Sequence, residues 1–465
     1  MSEKKATNAK SLSILGLTWP IFIELLLQML MGNADTLMLS QYSDHSVAAV
    51  GVANRILYIV ILLYGVLATG TSVLVSRHLG ARQDREASEV AVVSIYGNLL
   101  LGLGLSGLAY LTGEPLLRAT GLPRELISEA MIYMVFVGGF SFIPAVMLTV
   151  SAILRSHGFT KEVMFVTFGM YLFDIVGNYL FIFGPFGIPV LGVFGVAVTT
   201  TISKGIGLAV LFAILTKRVK YRLPFKRIFS LPLAHFRGLL KIGVPSALEL
   251  LSYHSSQLAV TSIAAILGTQ ALTTKVYTEN LMMFIYLFGM ALGQGTQIVI
   301  GRLAGARRFQ EIYERCMQST RISFAVSLAT GILIYACAHP LLGLFTRDQD
   351  VISTGSMLLL LTVALEPGRS INLVILGALR ALGDIKFAVY LGMASMWGIS
   401  VVLSYVLSVS LEMGLAGIWI AFAVDEWLRG LVLLKRWRSR SWFRKEALSI
   451  ANDTHSPSTP SIICD

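Results

Sequence analysis

Residues 20–26 read PIFIELL, and residues 245–251 read PSALELL, so that Pro20, Glu24, Leu25 and Leu26 return as Pro245, Glu249, Leu250 and Leu251 after 225 residues. The same offset carries Gly70-Thr71 onto Gly295-Thr296. It also carries Arg77, Gly80, Ala81 and Arg82 onto Arg302, Gly305, Ala306 and Arg307. Leu154, Arg155, Gly158 and Lys161 fall in turn on Leu379, Arg380, Gly383 and Lys386. Four separated motifs at one spacing define an internal repeat. Apolar runs of roughly 20 residues recur between these motifs, so the repeated unit is a set of membrane helices. The chain of 465 residues is 55% hydrophobic and only 14% charged, with a mean hydropathy of +0.73. A soluble chain carries about 25% charge. A helix of roughly 20 apolar residues crosses a hydrocarbon core of about 30 Å.

Breaking the apolar runs at Gly, Pro and charge clusters predicts twelve helices, at 12–38, 47–76, 88–112, 125–154, 163–184, 190–216, 238–266, 271–303, 314–340, 350–379, 387–410 and 414–436. The expected fold is an all-α membrane protein of two six-helix halves. Residues 1–216 form the first half, 217–237 a basic linker, 238–436 the second half and 437–465 a polar tail, disordered from Asn452 onward. An even number of spans per half makes the repeat parallel, with its axis along the membrane normal.

The net charge of +11 sorts by side rather than forming a nucleic-acid surface. Lys4, Lys5 and Lys10, then Arg77, Arg82 and Arg85, then Arg155 and Lys161 fall on one side. The 217–227 cluster, Arg302, Arg307 and Arg308, Arg380 and Lys386, and the 435–445 cluster fall there too. Asp44, Glu114, Arg118, Arg124, Arg347, Asp348, Asp350 and Glu412 fall on the other. The positive-inside rule then places both termini in the cytoplasm and the protein in the plasma membrane. The first apolar run is too long for a signal peptide and is expected to remain as a span. Cys316, Cys337 and Cys464 are too scattered for a metal motif or disulfide framework. No HExxH, Walker loop or nucleophile elbow is present, which argues against an enzyme.

Acids on such helices are costly, at about 2.5–3.5 kcal/mol for a central charge. Glu24 and Asp35 stand eleven residues apart. That separation is about three turns, so they share a face roughly 16 Å apart along the axis, with Gln28 between them. Asp174 and Asn178 are one turn apart on the fifth predicted span, and Thr199, Thr200 and Thr201 lie on the sixth. Their oxygens could surround one small hard cation, or the two aspartates could share a proton. Under the repeat Asp35, Asp174 and Asn178 become Val260, Ile399 and Leu403, whereas Glu24 keeps Glu249. A job confined to the first half is therefore expected. Glu249, Tyr253, Ser256 and Gln257 give the seventh span a polar face. Lys275 and Glu279 are spaced to pair, Arg155 and Arg380 are expected at cytoplasmic helix ends, and His254, Trp397 and Trp419 read as packing or anchoring groups.

The proline-led first and seventh helices, Asp35, the repeated Gly-Ala-Arg loops, LRSHGFTK and LRALGDIK, and GNYLFIFGPFGIPVLGVFG together resemble the multidrug and toxic compound extrusion (MATE) family, prokaryotic type, over residues 12–440. The resemblance implies a V-shaped pair of bundles exporting organic, often cationic, compounds in exchange for Na+ or H+. It implies a cation-coupling site at Asp35, Asp174, Asn178 and Thr200, holding Na+ if sodium is the ion. A substrate path follows along Glu24, Gln28, Glu249, Tyr253 and Gln257. One branch of the family has an acid late on helix 7 where this chain has Tyr253, so a second-half ion site is not implied. The partners expected are a small-molecule substrate and the bilayer, with no cofactor, no nucleic acid and a monomeric chain. A flippase for a lipid-linked precursor is the alternative, from the wider superfamily.

Overall fold

The computed structural model describes residues 13–443 apart from Lys220 and Arg222, and the side chains of Ile228 and Phe229 are not described either. The amino-terminal lysines and the tail beyond Phe443 lie outside the described residues. The long helices are α1 (Ile14–Ser40), α2 (Asp44–Gly80), α3 (Asp84–Ala119), the bent α4 (Arg124–Gly138 and Phe142–Ser156), α5 (Thr160–Phe183) and α6 (Gly192–Arg218). They continue as α7 (Leu233–Ile266), α8 (Thr269–Gly305), α9 (Phe309–Ala336), α10 (Gln349–Ala381), α11 (Ile385–Ser410) and α12 (Gly414–Arg438). Among the described residues, nine helices are long and apolar enough to cross a membrane, or ten if the two arms of α4, bent by 41°, are one span. The long helices α7 and α12 fall outside that test. Their polar content is the reason: α7 carries Glu249, His254 and Gln257, and α12 carries Asp425, Glu426 and Arg429.

Local chemistry sets the helix ends. The Ser43 hydroxyl accepts the backbone N–H groups of His45 and Ser46 and starts α2, and the Asp348 carboxylate accepts those of Asp350 and Val351 and starts α10. Between α6 and α7 the chain makes a short 3₁₀ turn, Phe225–Ser230, so the helices reach further into the expected 217–237 linker than the charge cluster suggests. The expected tail from 437 begins within α12. Trp437 and Trp442 are buried there and stack with ring centroids 4.9 Å apart.

The repeat is visible in backbone geometry. α2 and α8 are both 37 residues long and start 225 residues apart. Arg82 and Arg307 both adopt positive φ, at 58° and 56°. α1 packs against α5 and α8, while α7 packs against α11 and α2, so the two proline-led helices each join an element from either side of the repeat. α2 and α8 also approach closely. A Cβ on Gly80 would collide with the Arg302 carbonyl, and one on Gly305 with the Arg77 carbonyl. Glycine is required at both positions because backbone meets backbone.

Candidate functional site

Late in α1, Asp35 meets α5. The Asn178 Nδ2 donates to Asp35 Oδ1 at 2.9 Å, and one turn earlier Asp174 Oδ1 accepts from Thr200 Oγ1 of α6 at 3.2 Å. Asn178, Asp174 and Thr200 are buried, and Asp35 is half-buried. α6 comes this close because Gly177 leaves room for the Thr199 side chain, which any Cβ there would overlap. The structure thus brings together all four residues expected to couple the cation. Two further oxygens, Asn178 Oδ1 and Thr199 Oγ1, are buried without a hydrogen-bond partner. A buried acceptor left unpaired is costly, and a cation or a protonated carboxyl supplies what it lacks. The donor set therefore fits Na+ as well as H+. One residue was not anticipated. Lys204, a turn beyond Thr200 on the same face of α6, interacts electrostatically with both Asp174 and Asp35. The only sequence signal for it is that i, i+4 spacing.

The polar face of α1 divides. Glu24 and Gln28 line a cavity of about 400 Å³, whereas Asp35 turns to α5. Glu249 and Tyr253 line the same cavity from α7, and Gln257 lines a smaller recess that adjoins it at Tyr253. Leu25, Leu62, Leu250, Met290 and Leu373 supply apolar wall. Neither glutamate stands alone. Arg155 Nη2 lies 3.7 Å from Glu24 Oε1, and Arg380 Nη2 donates to Glu249 Oε2 at 2.6 Å. These two pairs are repeat equivalents, since both members are displaced by 225 residues. Arg155 also donates to Gln294 Oε1 of α8 at 3.2 Å. The arginines expected only to mark helix ends thus belong to the cavity wall, and Glu249, expected on the substrate path, is held in an ion pair. The signal was present in the repeat: each arginine follows its glutamate by 131 residues.

At the end of α8 the Arg302 guanidinium donates twice to the Ser156 carbonyl of α4, at 3.0 Å from Nε and 2.6 Å from Nη2. Together with the Gly80 and Gly305 contacts, this ties α2, α4 and α8 together at their arginine-bearing ends. The remaining polar residues are placed structurally. Lys275 pairs with Glu279 at 2.7 Å, His254 shares a hydrogen bond with Tyr58, Trp397 donates to Ser252, and buried Trp419 donates to Thr362.

A second polar centre lies between α10 and α12, which the sequence reading did not single out. Glu366, Arg369 and Asn372 come from α10, and Asp425, Glu426 and Arg429 from α12. None of the six is more than 6% exposed. Arg369 bridges Glu366 at 2.6 Å and Glu426 at 3.2 Å, while Arg429 bridges Asp425 at 2.7 Å and Glu426 at 2.9 Å.

The MatE family model matches residues 20–180 and again residues 245–406, with starts 225 residues apart. The chain is 52% identical over 436 residues to the "Uncharacterized transporter YisQ" of Bacillus subtilis, covering 94% of this chain and 96% of that protein. It is 26% identical over 438 residues to the "Probable multidrug resistance protein NorM" of Thermotoga maritima, covering 94% of each. A solved structure described as the outward-facing conformation of a multidrug resistance MATE family transporter of the MOP superfamily superposes with a TM-score of 0.86 at 23% identity, over 94% of this chain and 98% of that one. The chain is therefore a multi-pass membrane transporter of the MATE family.

Proposed function

We propose that this transporter is a cation-coupled antiporter that exports organic, often cationic, small molecules by alternating access. Twelve spans form two six-helix halves, with both termini in the cytoplasm. The doubled family match and the paired backbone geometry support the two halves. The collection of Arg77, Arg155, Arg302 and Arg380 at one end supports the orientation. With that orientation, the Arg302–Ser156 hydrogen bonds support an outward-facing state.

The observation that carries the reading is the pair of buried carboxylates, Asp35 and Asp174, bonded to Asn178 and Thr200, with unpaired oxygens beside them. From outside, a Na+ or H+ enters this pocket and relieves the mutual repulsion of the two acids. A bound ion shifts the conformational equilibrium only by its differential affinity for the two states. Filling the pocket draws α1 toward α5 and α6 and so disfavours the substrate-holding cavity around Glu24 and Gln28. Discharge on the inside resets it. One charge crossing 100 mV supplies about 2.3 kcal/mol, enough for a gradient of tens-fold.

The test is transport in proteoliposomes under separately imposed Na+ and H+ gradients, with a fluorescent organic cation. One of the two gradients drives uptake in the native protein, and Asp35→Asn reduces that uptake to the gradient-free background. Full gradient-driven transport in a folded Asp35→Asn, Asp174→Asn double variant overturns the proposal.

A further inference from the structure

We propose that the second half holds a proton of its own, on the Asp425 carboxyl. The repeat places this group where the first half has Thr200. Asp425 and Arg429 lie 225 residues beyond Thr200 and Lys204, and Gly417 and Gly430 keep the register with Gly192 and Gly205. The second half has therefore not lost its polar centre. It has moved the carboxylates from the first and fifth helices of the unit to the fourth and sixth.

The argument is one of charge balance. Glu366, Asp425 and Glu426 are three carboxylates, and Arg369 and Arg429 are two guanidiniums. A guanidinium keeps its proton in proteins. With every acid ionised, the centre holds one uncompensated negative charge on side chains that are almost fully buried, and an uncompensated buried charge is strongly destabilising. Taking one proton removes the imbalance.

The hydrogen bonds assign that proton. Glu426 accepts Arg369 Nε on Oε1 and Asn372 Nδ2 on Oε2 and pairs with Arg429 Nη2 at 2.9 Å, surroundings that hold it ionised. Glu366 accepts Arg369 Nη1 and lines neither the recess nor the cavity. Asp425 accepts Arg429 on Oδ2, while Oδ1 makes a close hydrogen bond with the Ser395 hydroxyl. A hydroxyl can turn and become the acceptor, so Ser395 serves both the ionised and the protonated carboxyl. Asp425 also lines the recess with Tyr253, Ser256, Gln257 and Ser400, which adjoins the main cavity. Every polar element around it is accounted for: Glu426 and Arg429 on α12, Glu366, Arg369 and Asn372 on α10, Ser395 and Ser400 on α11, and Tyr253, Ser256 and Gln257 on α7, with Glu249 acting on Arg429 at longer range. A metal cation would need a shell of free oxygens beside two guanidiniums. A proton needs only the one lone pair.

This assignment stands whether or not the first half couples transport. The experiment is infrared difference spectroscopy of the purified transporter between alkaline and acidic buffer, read at the carbonyl band of protonated carboxyl groups. In the Asp35→Asn, Asp174→Asn double variant a band persists, and adding Asp425→Asn removes it. Ser395→Ala, which leaves the acid in place, moves the frequency of that band because the hydroxyl partner is gone. A band indifferent to both Asp425→Asn and Ser395→Ala overturns the proposal, as does a band that sodium abolishes at constant pH. Loss of gradient-driven transport in the aspartate double variant with the band retained upholds both readings. Retention of transport with the band retained sinks the coupling site alone.

Discussion

In the first half, two aspartates face an asparagine, a threonine and one lysine. In the second, at the corresponding place, three carboxylates are laced to two arginines. Both centres carry one more acid than base, yet they differ in rigidity. The first is joined by single hydrogen bonds of 2.9 and 3.2 Å from neutral donors and leaves oxygens unpaired. The second is joined between its two helices through Glu426 alone, which accepts Arg369 at 3.2 Å and Asn372 at 2.9 Å, while ion pairs of 2.6–2.9 Å within each helix bring two guanidiniums into the network. A loosely satisfied acid pair can exchange its counter-ion as helices move, and a cross-linked network keeps its helices together. The repeat leaves the frame in common, and under the proposed function the polar residues divide between ion exchange and cohesion.

The largest effect tests cohesion. Arg369→Met leaves three acids around one arginine, and breaking a buried ion network in this way costs about 3–5 kcal/mol. Thermal unfolding in detergent should show that loss, and Glu366→Gln added to it should restore most of the stability. An unchanged melting temperature would break the contrast between the halves. Next in size, Thr200→Ala removes a hydroxyl bonded to a carboxylate, worth about 1.5–3 kcal/mol. The Na+ or H+ concentration for half-maximal transport should rise at least tenfold, with the fold intact.

Lys204→Met sharpens the comparison in the opposite direction. It removes the positive charge that, under the proposed function, competes with the coupling ion for Asp35 and Asp174. The half-maximal ion concentration should fall about tenfold, corresponding to about 1.4 kcal/mol of Coulomb energy at the effective dielectric of a protein site. A rise would mean that Lys204 organises the pocket rather than competing for it. The smallest effects lie in the cavity. Glu249→Gln disrupts an ion pair at 2.6 Å, and Glu24→Gln one at 3.7 Å. Half-saturation for a cationic substrate should change several-fold in the first and about twofold or less in the second, since partly exposed pairs contribute about 0.2–1 kcal/mol.

Several site residues were legible because an acid on an apolar helix has no bland explanation. Asp35 and Asp174 stood out in this way, Asn178 followed from its place one turn beyond Asp174, and only the family resemblance chose Thr200 from Thr199, Thr200 and Thr201; the repeat isolated the first three by deleting their counterparts. The same comparison misled in the second half. It asked only what replaced each residue, and Val260, Ile399 and Leu403 are apolar. The second centre takes its acids from α10 and α12, and residue-by-residue alignment cannot register a group that lies on another element. Lys275 and Glu279 could be paired from spacing because they share a helix. Arg369 and Glu426 could not, being 57 residues apart on different helices.

Hydropathy and periodicity act along the chain, so the sequence by itself determined an all-helical membrane protein, a repeat of 225 residues and the acids in its first half. Which charge neutralises which was decided by tertiary structure alone, in Glu24 with Arg155, Glu249 with Arg380, and the α10–α12 network. Electrostatic pairing depends on separations of a few ångströms in space, and helix packing, rather than distance along the chain, sets those separations.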